Sequence, residues 1–381
     1  MRIIEEEQLD FDDVLIMPRR SSLNSRNEVN IFREFKYNKK SDEDYRNIIG
    51  IPVMCSAMGT IGTPKMAKIL AKEGCFCALE KHTPVEELIK MYLELEALAE
   101  GDGYNSGDQI YCCRAFPCIG VKESLDGLTS LKNAVGDRVH GIMIDVPNGY
   151  CPALIKRIGE VRNLFPDAFI IAGNVVTPDM CQDIINAGAT AVKVGIGNGS
   201  CCRTRVKTGV GRPQLSTLVE CGDACHQMNA FCVCDGGCNN PGAVCKALGA
   251  GADIVMSGSM FAGTDEAEGE TVEINGKLYK QYYGMSSHYA QQKHFGGIRA
   301  YSASEGMEKM IPCTGPVQGV LGDILGGIRS AMTYIGCREI KSFSKHTAFY
   351  KVRHQFNDVF ERNIDMNSVN TCKDLPRVSP C

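Results

Sequence analysis

The pattern of this sequence is that of a (β/α)8 barrel, a single α/β domain with a flap inserted after the eighth strand. Eight short β-rich runs alternate with amphipathic stretches, and a polar or glycine-rich loop follows each run. The alternation breaks over residues 264–318, which are polar and glycine-rich, and then resumes as an apolar helical rhythm over 321–337. In chain order the runs are 51–55, 76–79, 118–121, 141–145, 169–172, 191–194, 231–234 and 253–256. Between the fifth and sixth, residues 177–186 read as a helix, with Thr177 as its N-cap and Gly188 as its stop. Inside the break, Asn275-Gly276 between apolar-alternating residues favours a tight hairpin turn, so the flap over the barrel mouth carries a β-hairpin. One catalytic barrel domain is therefore expected over residues 1–362, flap included, followed by a polar, proline-tipped tail over 363–381.

Composition narrows the functions open to such a barrel. A chain of 381 residues with net charge -4 has no basic field for DNA or RNA, so nucleic acid is not an expected partner. The N-terminus Met1-Arg-Ile-Ile-Glu-Glu-Glu has no apolar signal core, and no apolar run approaches the ~20 residues of a membrane helix, which points to a soluble cytoplasmic protein without a membrane partner. Twenty cysteines in a chain this long read as reduced thiols rather than a disulfide scaffold. Cys232, Cys234, Cys238 and Cys245 lack zinc-ligand spacing, and Cys75, Cys77, Cys112 and Cys113 read as small core residues.

In a barrel of this kind the chemistry sits on the loops after the strands. Asp145 ends the fourth strand, Asn174 follows the fifth, Asp235-Gly236-Gly237 follows the seventh and Gly258-Ser259 the eighth. After the sixth comes Gly195-Ile-Gly-Asn-Gly-Ser-Cys-Cys-Arg-Thr-Arg205, which displays Cys202 and Thr204 on a glycine-rich loop. A Cys-Cys pair after a strand is commonly a packing pair, but the convergence of five polar loops on one mouth favours a covalent thiol catalyst. The amides of 235–237 and 257–259, with those of 283–287, match a phosphate cradle for a nucleoside monophosphate. Glu305 on the flap is the candidate proton carrier, closing over a ligand held at the thiol loop.

Several of these segments together carry a family likeness: residues 9–26, Ala172-Gly-Asn-Val-Val176, residues 195–214, Asp235-Gly-Gly-Cys238, Tyr283-Gly-Met-Ser-Ser287, Ser304-Glu-Gly306 and residues 323–330. Over about residues 9–360 the chain resembles the inosine monophosphate dehydrogenase/GMP reductase family, and its reductase branch most closely. The resemblance implies a homotetrameric barrel converting GMP and NADPH to IMP, ammonia and NADP. It implies that Cys202 attacks purine C2, and that Thr204 and Glu305 move the protons. It assigns the nucleotide to Asp235, Gly236, Gly237, Gly258, Ser259, Gly284, Met285, Ser286, Ser302, Ser304 and Gly306. It assigns NADPH to Ser25, Arg26, Lys81, Asp145, Ile196, Gly197, Ser330 and Thr333, and a monovalent cation, potassium, to carbonyls of Gly197, Gly199 and Cys202 together with Arg205.

Four positions depart from the family pattern. Arg203 replaces a threonine and sets a permanent charge beside the nucleophile, Gly59 stands where an aspartate is common, Ser302 where reductases often have arginine, and Ser259 where glycine is usual. Two other readings stay open on the sequence: an IMP dehydrogenase without regulatory domains, and a catalytically silent nucleotide-binding homologue. Against the first, the flap reads Ile298-Arg-Ala-Tyr301 and lacks the adjacent Arg-Tyr pair that would activate water. Against the second, Cys202, Thr204 and Glu305 are all present.

Overall fold

The computed structural model describes residues 3–38, 45–102, 111–297 and 303–353. The eight barrel strands are β1 (Val53–Cys55), β2 (Phe76–Ala78), β3 (Ala115–Phe116 and Cys118–Ile119), β4 (Gly141–Asp145), β5 (Phe169–Val175), β6 (Ala191–Val194), β7 (Phe231–Asp235) and β8 (Ile254–Ser257). All pair in parallel with their sequence neighbours, and β8 returns to β1 to complete the ring. The helices that follow them are α1 (Pro64–Lys72), α2 (Val85–Gly101), α3 (Asp126–Val135), α4 (Pro152–Leu164), α5 (Pro178–Asn186), α6 (Gln214–Gln227), α7 (Pro241–Gly249) and α8 (Val317–Ile335).

The third strand departs from its expected position. It begins at Ala115 and is split at Pro117, whose missing N–H interrupts the ladder, so the first half pairs with β2 and the second with β4. Strand β5 runs on to Val175, so Asn174 lies within the strand rather than after it. Thr177 does stand at the N-cap of α5, but its hydroxyl meets Tyr150 Oη at 3.0 Å and makes no cap bond.

Alternation along each strand sorts two cores. Residues such as Val192, Val194, Cys232 and Cys234 face the helices, while Met143, Phe169, Ile171, Ala191, Val233 and Met256 fill the barrel. A hairpin of Arg33–Tyr37 and Arg46–Gly50, which sequence reading did not anticipate, belongs to this inner cluster. Its Phe35 is fully buried and meets Phe76, Phe169 and Phe231 edge-on at 5.9, 6.3 and 5.4 Å. These partners sit at the strands' N-terminal ends, so the hairpin plugs the end opposite the mouth. Phe35→Ala is expected to cost about 3–5 kcal/mol in denaturant unfolding through the cavity it leaves, with no change in nucleotide KM.

The break after β8 folds as a three-stranded antiparallel sheet, β9 (Thr271–Ile274), β10 (Lys277–Tyr283) and β11 (Glu308–Pro312), with a helix at His288–Phe295. Asn275 and Gly276 form the hairpin turn with φ of 52° and 74°. Among the described residues no helix is long and apolar enough to cross a membrane, and every cysteine is a free thiol. The tail assigned to 363–381 lies outside them.

Candidate active site

Strand β6 ends at Val194 and delivers the glycine-rich loop to the barrel mouth, where the short helix Thr204–Thr208 begins. There the Cys202 thiol donates to Thr204 Oγ1 at 3.2 Å, and the Thr204 hydroxyl donates to Glu305 Oε2 at 2.7 Å. Cysteine, threonine and glutamate, the last 101 residues away from Thr204 along the chain, thus form one hydrogen-bonded line. All three are partly buried.

Backbone pairing holds the line. The Met307 N–H donates to Cys201 O at 2.9 Å and the Arg203 N–H to Glu305 O at 2.7 Å, so the flap segment adds to the catalytic loop as a strand, with Cys202 opposite Gly306. Arg203 therefore reaches the acid through its amide, while its side chain is exposed. A third segment closes the layer: Gly284 N–H donates to Met307 O at 3.0 Å and Gly306 N–H to Ser286 O at 3.2 Å. A Cβ on Gly306 would come within 2.4 Å of Ser287 N, so only glycine permits this approach. Gly306→Ala should displace Glu305 by a fraction of an ångström or more and lower kcat by about 10²-fold. Thermal stability should hold, because the flap lies outside the barrel core.

The structure brings most of the residues assigned to the nucleotide together around the mouth. Gly236 and Gly237 follow β7 with φ of 95° and 83°, Gly258 and Ser259 follow β8, and Gly284, Met285, Ser286, Ser304 and Gly306 come from the flap. The Ser304 hydroxyl lies 3.3 Å from both Ser286 O and Gly306 O. Ser302 lies outside the described residues. Gly59 has a physical reason here: a Cβ would sit 2.8 Å from the Tyr283 hydroxyl, where an aspartate would not fit without a shift.

The residues assigned to NADPH do not form one group within a single chain. Ile196 and Gly197 are on the thiol loop, Lys81 lies 3.5 Å from Glu123, and Asp145 ends β4, all at the mouth. Ser25, Arg26, Ser330 and Thr333 instead line a surface depression of about 320 Å³ with Asn24 and Tyr334. Helix α8 runs away from the mouth, so Ser330 and Thr333 are roughly 20 and 24 Å along it from Val317.

The four positions assigned to the cation contribute carbonyls only. Gly199 O already accepts from Cys202 N–H at 2.9 Å and Arg205 O from Gly209 N–H at 3.0 Å, each leaving a second lone pair. The Arg205 guanidinium cannot ligate a cation; it binds Asn198 Oδ1, and Arg212 O at 2.7 Å, pinning the loop. Among the described residues no group of three or more His, Cys, Asp or Glu side chains is arranged to hold a metal.

Sequence reading missed four participants. Gln214, fully buried, donates to Val194 O at 2.9 Å and accepts from Asn198, tying the loop to the barrel. His82 after β2 and His294 on the flap helix stack at 4.2 Å, joining flap to barrel. Lys193 on β6 is buried and reaches Asp145 at 2.7 Å and Asp235 at 2.6 Å. Asn174 Nδ2 also donates to Asp235 Oδ2, at 2.8 Å, whereas its own buried Oδ1 has no partner among the described residues.

A family model described as the IMP dehydrogenase / GMP reductase domain matches residues 8–357. The chain belongs to this family. Named relatives agree over nearly the whole length. A GMP reductase of Vibrio campbellii is 44% identical over 360 residues, covering 94% of this chain and 99% of the relative. One from Phytophthora infestans is 43% identical over 366 residues, 95% of each chain. GMP reductase 2 of Mus musculus is 42% identical over 365 residues, covering 95% of this chain and 99% of its own. The cysteine loop and the flap glutamate thus belong to a barrel shared along its full length with reductases.

Proposed function

We propose that this chain catalyses the NADPH-dependent reductive deamination of GMP to IMP and ammonia, in purine nucleotide interconversion. The Cys202–Thr204–Glu305 line is the observation that carries the reading, because it provides a thiol and a two-step proton path to a carboxylate. The Cys202 proton passes through Thr204 to Glu305 as sulfur bonds to purine C2. The same acid then returns a proton to the 2-amino group, the C2–N bond breaks, and ammonia leaves a thioimidate on Cys202. NADPH, when bound, supplies the hydride to C2. Rupture of the C–S bond then releases IMP and leaves the Cys202 thiolate, which takes up a solvent proton along the Glu305–Thr204 line to restore the thiol.

The backbone amides of 236–237 and 258–259 would hold the phosphate, and Gly284–Ser286 the purine. Asp235 would hold the ribose through Oδ1, since its bonds to Lys193 and Asn174 both fall on Oδ2. The NADPH residues fit a dinucleotide as two halves: Lys81, Asp145, Ile196 and Gly197 with the buried Asn174 acceptor at the mouth, and a depression with hydroxyls and Arg26 on the outer face. A second copy would bring its outer half to this mouth, which favours association over an isolated chain, and the homotetramer that the family resemblance implies would supply that copy. Arg26 and Lys81 suit the additional phosphate of NADPH. The carbonyls of Gly197, Gly199, Cys202 and Arg205 would take potassium and order the loop. Free thiols throughout the described residues accord with a reducing cytoplasm.

The test is a paired absorbance assay at the reduced-nicotinamide band. GMP with NADPH should consume the signal, and IMP with NAD should leave it flat. Production of signal in the second cuvette would mean a dehydrogenase, and silence in both a binding protein.

A further inference from the structure

Inside the barrel, pairing register places three inward-facing positions side by side at one level. Asp145 on β4 is opposite Gly173 on β5, and Gly173 is opposite Lys193 on β6. The middle position carries no side chain, and a Cβ there would fall 2.8 Å from Lys193 Cβ and 2.2 Å from Lys193 O. The gap lets one ammonium cross the barrel interior just below the mouth to Asp145 at 2.7 Å while it also reaches Asp235 at 2.6 Å. The two carboxylate oxygens are therefore no more than about 5.3 Å apart with a single cation between them. Burial alone would push the Lys193 pKa down, but the two aspartates hold it above the ordinary value.

We infer that Lys193 is a positioning residue that sets the spacing between the nucleotide and dinucleotide halves of the pocket by pinning Asp235 and Asp145 to one ammonium. This rests on the reaction proposed above, in which Asp235 faces the nucleotide and Asp145 the dinucleotide. Without the cation the carboxylates repel, both half-sites spread, and binding weakens on both sides together. Other titratable or polar groups around the ring include Cys118 on β3, Glu80 after β2 and Asn174 on β5, with Cys238 and Tyr282 near Asp235. Burial raises both Cys118 and Glu80, and Glu80 accepts from the His82 N–H at 2.9 Å.

Lys193→Met keeps the length and removes the charge. At pH 8 its KM for GMP and for NADPH should each rise at least ~10-fold while kcat changes less than about threefold. Adding Asp145→Asn should restore the GMP KM at pH 8 to within about threefold of normal and leave the NADPH KM high. The double variant has no facing carboxylates, so it keeps the test available if Lys193→Met fails to fold by circular dichroism. A lysine that only fills the barrel predicts unchanged KM values, or a defect unrepaired by Asp145→Asn; either result overturns the inference. Absence of GMP turnover in the unmodified enzyme would overturn the proposed reaction first, and the inference with it.

Discussion

Replacing Cys202 with alanine is expected to lower turnover of GMP by on the order of 10⁴-fold or more, equivalent to about 5 kcal/mol of barrier. The loss is this large because sulfur serves twice, as the attacking atom and as the group that departs after reduction. Serine should not rescue it: an alkoxide is far harder to form at neutral pH and a poorer leaving group. The fold should be indifferent. Cys202 meets the flap through backbone pairing with Gly306, and its side chain is only partly buried, so the melting temperature should hold within the equivalent of about 0.5 kcal/mol. Nucleotide affinity should also survive, because the phosphate cradle of 236–237 and 258–259 does not involve the thiol. Steady-state kinetics beside a GMP titration monitored by calorimetry separates the two effects.

The second large effect is that of Glu305→Gln. An amide can still accept the Thr204 hydrogen bond but cannot take up or return a proton, so kcat should fall about 10²–10⁴-fold. KM for GMP should move little, since the flap is held by the Glu305 carbonyl accepting from Arg203 N–H at 2.7 Å, and that carbonyl remains. Thr204→Val should reproduce much of the loss by removing the bridge between thiol and acid. Because the three groups form one line, the double variant Thr204→Val/Glu305→Gln should cost little more than Glu305→Gln alone. Additive losses would mean that the two side chains act separately.

The sequence makes the barrel readable because strand periodicity is local: apolar runs such as 191–194 and 253–256 need no knowledge of their partners. The third strand is the exception, since Pro117 divides it into two halves whose pairing is set by β2 and β4 rather than by their own residues. The bottom plug was hidden for a similar reason, as Phe35 gains its meaning only from rings on β2, β5 and β7. Cys202 and Glu305 were recognisable as motif residues, but their alignment depends on a strand pairing across a hundred residues. Lys193 left a signal that could have been used: it shares inward parity with Ala191, and a lysine on that face of a barrel strand must find acids at its own level. That it finds two follows from register and from the empty position at Gly173, neither visible in spacing alone. The dinucleotide residues divided between mouth and outer face because chain spacing does not say how far along α8 a residue lies from the mouth.

The central claim is that sulfur of Cys202 becomes bonded to the purine. Acid quench of the enzyme during turnover with GMP, followed by digestion and mass spectrometry, tests it most directly. The account predicts a purine nucleotide attached to the peptide containing Cys202, more abundant when NADPH is limiting and absent in Cys202→Ser. An unmodified Cys202 peptide at every quench time, with Cys202→Ser still turning over GMP, would contradict it.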